Sequence, residues 1–408
     1  MTIDIRVPPE SEIAAFRTAV VEGFSDEAKN DPERIDRFRK AFELDRFLAA
    51  YDGDDIVGTF GAFSFDMAVP GGTLPTAGTT IVTVRPTHRR QGILTAMMDR
   101  HFSDAAEKGE PLAALWASES SIYGRFGYGM ASYMNDVSIE SDRGAFRPTV
   151  EAPGRVRLIA VDEAKQVIPP IYERVWRERP GSFGRPGPWW EDRWFRDDPE
   201  DRGGATAWKY VVHDVEGEYK GYARYRVKLD WGPFPNNEVK LGEIQGVDAA
   251  SRLALWRYLL DIDLAVKVTC WNQPADLEVP WALVEHRRMG QRRTDGLWVR
   301  ILDVEKALAG RAYRVPGSLV LGVKDDFRPE TSGAYRLEID QSGAATCSRT
   351  DEAAQIFMSM ETLGSVYFGG IPVHELANVG LVAGDRSAID LADLAFGWGV
   401  SPFCPEIF

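Results

Sequence analysis

Apolar residues recur at helical spacing over residues 10–22 and 93–106, and this periodicity predicts two amphipathic helices. Shorter apolar runs rich in β-branched side chains predict strands over residues 46–51, 56–69, 79–84, 112–116 and 128–139. Strands that alternate with helices in this way indicate a mixed sheet flanked by helices. We therefore expect an α+β domain over residues 1–150, which ends where Pro and Gly cluster.

The same order of elements is repeated after that boundary. A strand predicted over residues 243–247 is followed by a helix over residues 249–260, as in the first domain. This correspondence predicts a duplicated domain over residues 151–300. Residues 251–254 correspond in order to residues 89–92 but lack the glycine and one arginine. The second copy is therefore expected to have a degenerate cofactor loop, which assigns cofactor binding to the first domain.

The remaining segment, residues 301–408, predicts a third domain of the α+β type. Apolar patterns indicate strands over residues 319–323, 334–339 and 344–348, and helices over residues 352–360, 373–377 and 388–396. The segment has turn signals but no acid-base or metal cluster of its own.

Length and charge limit the classes of function. A chain of 408 residues is too long for one hydrophobic core, in agreement with two to three domains. The formal charge of -14 argues against a surface that binds nucleic acid and against docking on anionic lipid. It mildly favours cationic substrates, although an acidic surface also serves solubility alone.

Cysteine and histidine usage points to a cytoplasmic protein without a metal. Cys270, Cys347 and Cys404 are widely separated and form no CxxC pair, which favours a reducing compartment. The chain start has no secretory signal, and no apolar run of about 18 residues predicts a membrane span. The five histidines have no ligand or triad spacing, and none lies near Cys404 to activate it as a nucleophile.

The most informative stretch joins the strand at residues 79–84 to the helix at 93–106. The strand stops at Arg85, and a basic loop containing Arg89, Arg90 and Gly92 opens the helix. Free amides at a helix start bind anions such as pyrophosphate, a glycine lets the backbone approach closely, and arginines add charge-assisted contacts. Walker and Rossmann fingerprints are absent from this sequence. A capped helix with solvated arginines is the alternative interpretation.

The pattern Arg89-x-x-Gly92-x-Leu94 after a strand resembles the acetyl-CoA signature of the GNAT N-acetyltransferases, with Leu94 in place of the usual last Gly or Ala. The stretch from Ala113 to Gly129, together with the terminal Phe408, is similar to the Eis (enhanced intracellular survival) family over the full chain. The resemblance implies an α+β fold of two tandem GNAT-type acetyltransferase domains. A sterol-carrier-protein-like domain over residues 301–408 would follow them and supply the C-terminal carboxylate.

The resemblance also implies roles for individual residues. Tyr123 matches the general acid that protonates the departing CoA thiolate, and Phe408 matches the base, through its free C-terminal carboxylate. Phe24, Asp26 and Glu406 are expected to bind the amine substrate. The implied cofactor-binding residues are Val82, Thr83, Val84, Arg90, Gln91, Gly92, Ile93, Leu94, Thr95, Ser118 and Glu119.

For both the general acid and the base, a second residue is a competing candidate. The ordinary tyrosine pKa of about 10 lies above the thiol pKa of about 8.5, so Tyr123 is able to donate a proton, and Tyr128 is the competing donor. A C-terminal carboxylate with a pKa of about 3.5 is ionised at neutral pH and is a weak base unless desolvated or aided by water. The family usually has Glu beside the terminal Phe. Here Ile407 takes that place and Glu406 lies one position earlier, which makes Glu406 the competing base.

The resemblance implies an acetyl-CoA-dependent N-acetyltransferase that acts on amines of polycationic, aminoglycoside-like small molecules or on lysine side chains, and that forms a homo-hexamer. Two alternatives stay open. The same fold would serve an enzyme that transfers longer acyl groups to peptide or protein amines. A non-catalytic protein that binds CoA or a lipid is the second alternative, because a fold alone does not establish a function.

Overall fold

The computed structural model describes residues 3–408, which form two seven-stranded sheets and one five-stranded sheet. The strands are β1 (Asp4–Arg6), β2 (Leu48–Asp52), β3 (Asp55–Val69), β4 (Gly72–Val84), β5 (Leu112–Trp116), β6 (Gly129–Met130), β7 (Tyr133–Glu140), β8 (Arg155–Ile159), β9 (Lys209–Val215), β10 (Glu218–Lys228), β11 (Asn237–Gly246), β12 (Ala265–Gln273), β13 (Gly290–Asp295), β14 (Leu297–Ile301), β15 (Gly317–Lys324), β16 (Gly333–Ile339), β17 (Ala345–Thr350), β18 (Ile356–Ser359) and β19 (Val382–Gly384). The helices are α1 (Ile13–Gly23), α2 (Pro32–Ala41), α3 (Ile93–Glu107), α4 (Ser120–Tyr123), α5 (Val161–Val175), α6 (Gly187–Trp189), α7 (Ala249–Leu260), α8 (Val279–Ala282), α9 (Val304–Ala309), α10 (Met360–Val366), α11 (Val373–Asn378) and α12 (Arg386–Phe396).

The first sheet has the strand order β1-β2-β3-β4-β5-β14-β6. Only β4 and β5 run parallel among these neighbours, and the others pair in antiparallel fashion. Helix α3 connects the parallel pair and buries Ile93, Met97, Met98 and Phe102 against the sheet. The predicted mixed sheet flanked by helices is confirmed, and α3 begins at the predicted residue.

The first two sheets exchange one strand each. Strand β14 follows the second domain in sequence but pairs with β5 and β6 of the first sheet, whereas β7 pairs with β12 and β13 of the second. The prediction that residues 128–139 all extend the first sheet is therefore wrong beyond Met130. The amides of Ala131 and Ser132 both donate to the carbonyl of Leu297, at 2.9 and 3.2 Å, so the chain turns away where β14 takes the next position.

The second sheet, of order β13-β7-β12-β11-β10-β9-β8, repeats the plan of a parallel pair joined by a helix. Only Val247 and Asp248 separate β11 from α7, so residues 251–254 lie inside the helix. The helix predicted over residues 249–260 is confirmed, whereas the correspondence of residues 251–254 to the loop residues 89–92 does not hold. The carboxylate of Asp248 accepts the amide of Ser251 at 2.7 Å and caps the helix, which places a negative charge where an anion would otherwise bind.

The third sheet has the order β17-β16-β15-β18-β19 and packs against α9, α10 and α12. The helix predicted over residues 352–360 is wrong, because Ile356–Ser359 forms strand β18 parallel to β15. Buried Ile356 and Met358 alternate with exposed Phe357, which is the period of a strand. None of the helices within residues 3–408 is long and apolar enough to cross a membrane.

A buried ion pair joins the third domain to the exchanged strand. Arg300 on β14 is fully buried, and its Nη1 lies 3.2 Å from Asp325 Oδ1 and 2.9 Å from the carbonyl oxygen of Phe126. Asp325 also accepts the hydroxyl of Thr331 at 2.6 Å. Burial opposes the ionisation of Asp325, but the hydrogen bond and charge of Arg300 outweigh it, and the pKa of this carboxyl lies below its ordinary value.

We predict that Asp325→Asn destabilises the folded protein by about 3–5 kcal/mol, because it leaves the charge of Arg300 buried without a partner. The apparent Tm from calorimetry measures this effect. The matched control is Asp326→Asn, since Asp326 pairs with Lys324 at the exposed surface and is expected to contribute about 1 kcal/mol or less. Equal melting temperatures for the two variants would contradict the assignment.

Candidate active site

Strands β4 and β5 separate and leave a gap between them. They pair only at Thr76↔Leu112, Ala77↔Ala113 and Gly78↔Ala114. Beyond these pairs, the continuing residues of both strands line a cavity of about 460 Å³. A gap of this kind exposes the unpaired backbone edge of β4 to a ligand that lies between the strands.

A bulge in β4 lies at the mouth of this gap. Thr59 pairs with Thr83 and Gly61 pairs with Thr80, so two residues of β4 oppose one residue of β3. Ile81 has a positive φ of 48°, and its carbonyl oxygen accepts the hydroxyl of Thr59 at 2.8 Å. The bulge directs Val82 into the cavity lining, whereas Thr83 and Val84 return to pairing with β3 and lie outside the lining.

The loop before α3 has the features of an anion site. Gly92 has a φ of 82° and Arg90 a φ of 63°, which sharpens the turn into the helix. Within residues 3–408, no side chain caps the start of α3, so the first amides of the helix, at Ile93, Leu94 and Thr95, are left for a ligand. Arg89, Arg90 and Gln91 are exposed beside them. This end of α3 therefore differs from the start of α7, where Asp248 occupies the equivalent place.

Tyr123 is positioned by the short helix α4, which follows β5 across Ser118 and Glu119. Its ring is 6% exposed and lines the cavity together with Ser118, while Glu119 lies at the exposed start of the helix. No residue within 3–408 accepts a hydrogen bond from its hydroxyl. Burial, assisted by the negative charge of Glu119, raises the pKa of Tyr123 to about 12.

Tyr128, the competing proton donor, lies deeper in the core. It is fully buried, and its hydroxyl lies 3.0 Å from the Thr79 hydroxyl, which in turn contacts His101 at 2.9 Å. Tyr128 does not belong to the cavity lining, and its ring meets that of Tyr123 edge-on at 6.0 Å. The geometry thus favours Tyr123 as the residue that reaches a ligand.

Phe408 lines the same cavity. Phe408 is 6% exposed, and its ring packs edge-on against Phe65 at 4.9 Å and against Phe183 at 5.8 Å. Phe408 and Ile407 both line the cavity that also contains Tyr123. Tyr123 and Phe408, the expected acid and base, therefore line one cavity, although they are 285 positions apart in the sequence.

The second domain holds the segment that precedes Phe408. The amide of Phe403 donates to the carbonyl of Pro180 at 2.8 Å, and Asn272 donates to the carbonyl of Cys404 at 3.0 Å. Phe403 also lines a cavity of about 190 Å³ where β11 and β12 separate, the counterpart of the gap between β4 and β5. The gap of the second domain thus serves as a support for the chain end.

The carboxylate of Glu406 is bound by two other side chains of the same protein. It accepts the indole N–H of Trp189 at 2.7 Å and lies 3.1 Å from Nε of Arg185, and it does not line the cavity. The guanidinium of Arg185 also pairs in bidentate fashion with Glu243, at 2.7 and 3.1 Å. Glu406 is therefore an anchor for the tail in this geometry and lies outside the cavity that Phe408 lines.

Of the other two expected substrate residues, only Phe24 lines the cavity. Phe24 lines the cavity and is 53% exposed. Asp26 is exposed and outside the lining, and its carboxylate accepts the amide of Glu27 at 2.8 Å. The expected acidic lining is thus not assembled from Asp26 and Glu406.

Sequence patterns missed the residues that the second domain contributes to this cavity. Arg193, Trp271 and Asp295 all line it. Strand exchange brings Asp295 and Trp271 close to β5, and no local pattern reports such a long-range pairing. The one available signal was the density of tryptophan around Arg193, at Trp189, Trp190 and Trp194. Within residues 3–408, no three His, Cys, Asp or Glu side chains gather into a metal-binding group.

Family models match each of the three parts of the chain. Residues 4–131 and residues 181–301 each match an acetyltransferase (GNAT) domain. Residues 304–405 match a sterol carrier protein domain. The two GNAT matches confirm the predicted duplication.

Relatives of the whole chain carry acetyltransferase names. An uncharacterized N-acetyltransferase of Streptomyces avermitilis is 38% identical over 413 residues and covers 100% of both chains. The N-acetyltransferase Eis of Mycobacterium bovis is 34% identical over 396 residues, which cover 92% of each chain. The crystal structure of Eis1 from Mycobacterium abscessus is similar with a TM-score of 0.86 and 30% identity, over 99% of this chain and 100% of that one. With two GNAT domains, a sterol carrier domain and these full-length relatives, the chain is an N-acetyltransferase that belongs to the Eis family of the GNAT superfamily.

Proposed function

We propose that this protein transfers the acetyl group of acetyl-CoA directly to a primary amine, with Tyr123 as the general acid and the terminal carboxylate of Phe408 as the base. The observation that carries the proposal is one cavity lined by Tyr123, Phe408 and the β4 bulge. Acetyltransferases of the GNAT kind use acetyl-CoA, and both ends of a cofactor site are available here. The amides at the start of α3 suit the pyrophosphate, and the backbone of residues 82–84 suits the pantetheine arm.

The step conserves atoms and charge. The lone pair of the neutral amine attacks the thioester carbonyl carbon, which forms the C–N bond, and the C–S bond then breaks. The carboxylate of Phe408 takes the proton from nitrogen, and the hydroxyl of Tyr123 gives a proton to sulfur. With a pKa of about 12, Tyr123 is protonated at neutral pH and its hydroxyl is available to donate to sulfur as the C–S bond breaks. Because this pKa exceeds the ordinary thiol pKa of about 8.5, the tyrosinate that results is promptly reprotonated.

The acceptor proposed from the resemblance is a polycationic small molecule or a lysine side chain. The lining supports the second class more than the first. Phe24, Phe42, Trp116 and Trp271 give the cavity apolar walls that suit an alkyl or aromatic stem. Asp26 and Glu406, which would attract several positive charges, lie outside the lining. We further propose that the enzyme acts in the cytoplasm as a homo-hexamer, and the free thiols of all three cysteines support the reducing compartment.

We predict that Gly92→Ala weakens acetyl-CoA binding about fivefold, because an alanine at a φ of 82° costs about 1 kcal/mol and the loop would shift to relieve it. The KM for acetyl-CoA measures the effect. Gly217→Ala is the matched control, since Gly217 also has a positive φ and open space around a built Cβ, but lies in the turn between β9 and β10. A similar change of KM in both variants would contradict the loop assignment.

Tyr123→Phe is expected to lower kcat/KM by about 10²–10⁴-fold, because the departing thiolate loses its proton donor. Release of CoA thiol measures the rate. With a pKa of about 12, Tyr123 should cause no loss of wild-type activity between about pH 7 and 10. Tyr128→Phe is the control and should lose about 1 kcal/mol of stability for its hydrogen bond to Thr79 while retaining turnover. Full activity of Tyr123→Phe would make Tyr128 or water the acid.

The base can be tested without changing any side chain. Cys404 allows residues 1–403 to be ligated to a synthetic pentapeptide of residues 404–408 that ends in either the natural acid or a carboxamide. The carboxamide keeps the Phe408 ring in place and removes the negative charge, so we expect its turnover to fall about 10²-fold or more with an unchanged Tm. An amide as active as the ligated acid would refute the role of the terminal carboxylate.

A further inference from the structure

Arg193 reaches the acceptor end of the cavity from the second domain. It lies in the π-helical turn Trp190–Trp194, and its guanidinium carbon is 4.1 Å from the ring centre of Trp189 and 5.2 Å from that of Phe63. It lines the same cavity as Phe42 and Phe408. Aromatic faces on this side hold the guanidinium plane in one orientation.

The guanidinium of Arg193 has no polar partner within residues 3–408. Its Nη1 is buried and forms no hydrogen bond, and no carboxylate is in salt-bridge contact with it. Three more deeply buried arginines each have at least one polar partner, although Nε of Arg185 and of Arg300 forms no hydrogen bond. Arg185 pairs with Glu243, Arg300 pairs with Asp325, and Arg311 donates to the carbonyl of Phe396 at 2.8 Å. A buried donor without an acceptor costs free energy, and a bound anion would remove that cost.

The charges around Arg193 are otherwise engaged. Glu406 attracts it from a distance, but this carboxylate is already held by Arg185 and Trp189. Burial lowers the pKa of Arg193, yet an arginine is basic enough to keep its charge at neutral pH. Asp295, the acidic side chain in the lining, accepts the indole N–H of Trp298 at 2.8 Å. Apart from the terminal carboxylate of Phe408, which the proposed transfer uses as its base, no carboxylate of the lining within residues 3–408 pairs with the charge of Arg193.

We propose that Arg193 binds a carboxylate on the acceptor, so that the substrate is an amine with an apolar or aromatic body and a carboxylate at its far end. This inference rests on the proposed acetyl transfer and narrows its acceptor. The amine lies at Phe408 and Tyr123, the aromatic walls hold the body, and the planar fork of Arg193 takes both carboxylate oxygens. A polycation lacks the group that this guanidinium requires.

Two pairs of acceptors test the proposal: 4-(aminomethyl)benzoate against 4-(aminomethyl)benzamide, and 6-aminohexanoate against 6-aminohexanamide. Each pair differs only in the charge of the far group. We expect kcat/KM of the wild type to favour the acids about tenfold or more, as a charge-assisted hydrogen bond would. Arg193→Gln should bring the ratio of acid to amide close to one. Arg196→Gln is the matched control, because Arg196 pairs with Asp198 and Asp201 at the surface three residues along, and it should keep the wild-type ratio.

Calorimetric binding of the same four compounds to the CoA-saturated protein separates this inference from the proposed function. Acid-selective binding that depends on Arg193, without thiol release, would support the carboxylate site and refute the acetyl transfer. Turnover with equal use of acid and amide would overturn the carboxylate site and leave the acetyl transfer standing. If Arg193→Gln lowers kcat/KM equally for the acid and the amide of each pair, the carboxylate site is also overturned, since Arg193 would then position Phe408 and not the acceptor. Absence of any Arg193-dependent binding of the acids overturns it as well.

Discussion

The buried ion cluster of Arg185, Glu243 and Glu406 fixes the place of the chain end, and the proposed chemistry depends on that place. Arg185 and Glu243 lie in the second domain with side chains at most 3% exposed, and Glu406 belongs to the tail. Burial opposes the ionisation of Glu243, but Arg185 outweighs it and holds the pKa of that carboxyl below its ordinary value. Two charges so deeply buried are tolerated only while their partners stay in position, so the cluster resists fraying of the tail. Phe408 is thereby delivered to a cavity of the first domain.

The two duplicated domains differ in what their sheet gaps contain. In the first, the gap between β4 and β5 opens towards a helix start without a capping side chain. In the second, Asp248 caps the corresponding helix, and Phe403 of the tail lies in the corresponding gap. The exchange of β7 and β14 then makes the two sheets interdependent, and the Arg300–Asp325 pair extends the same unit to the third domain. A single acceptor cavity thus receives residues from all three parts of the chain.

Local sequence patterns predicted the parts of the site that depend on local physics. The strand before the loop, the glycine at position 92 and helix α3 are each encoded by neighbours in sequence, whereas the role of Tyr123 came from the family resemblance. The strands that the sequence patterns misassigned depend on long-range pairing. The local pattern around Ile356–Ser359 predicts a helix, and only the pairing with β15 shows that it is a strand. Strand β7 lies outside the first sheet because β14, from much later in the sequence, pairs there with β6. Sequence patterns also missed Arg193 as a cavity residue, because its neighbours Phe42 and Phe63 belong to another domain.

The most direct test is a crystal structure of the protein with CoA and a bound amine acceptor. We expect the sulfur of CoA beside the hydroxyl of Tyr123 and the acceptor nitrogen within about 3 Å of the terminal carboxylate of Phe408, the reach of a proton transfer. The pyrophosphate should lie on the amides at the start of α3. CoA in the gap between β11 and β12, or a Phe408 carboxylate turned away from the acceptor, would contradict the division of roles between the two domains.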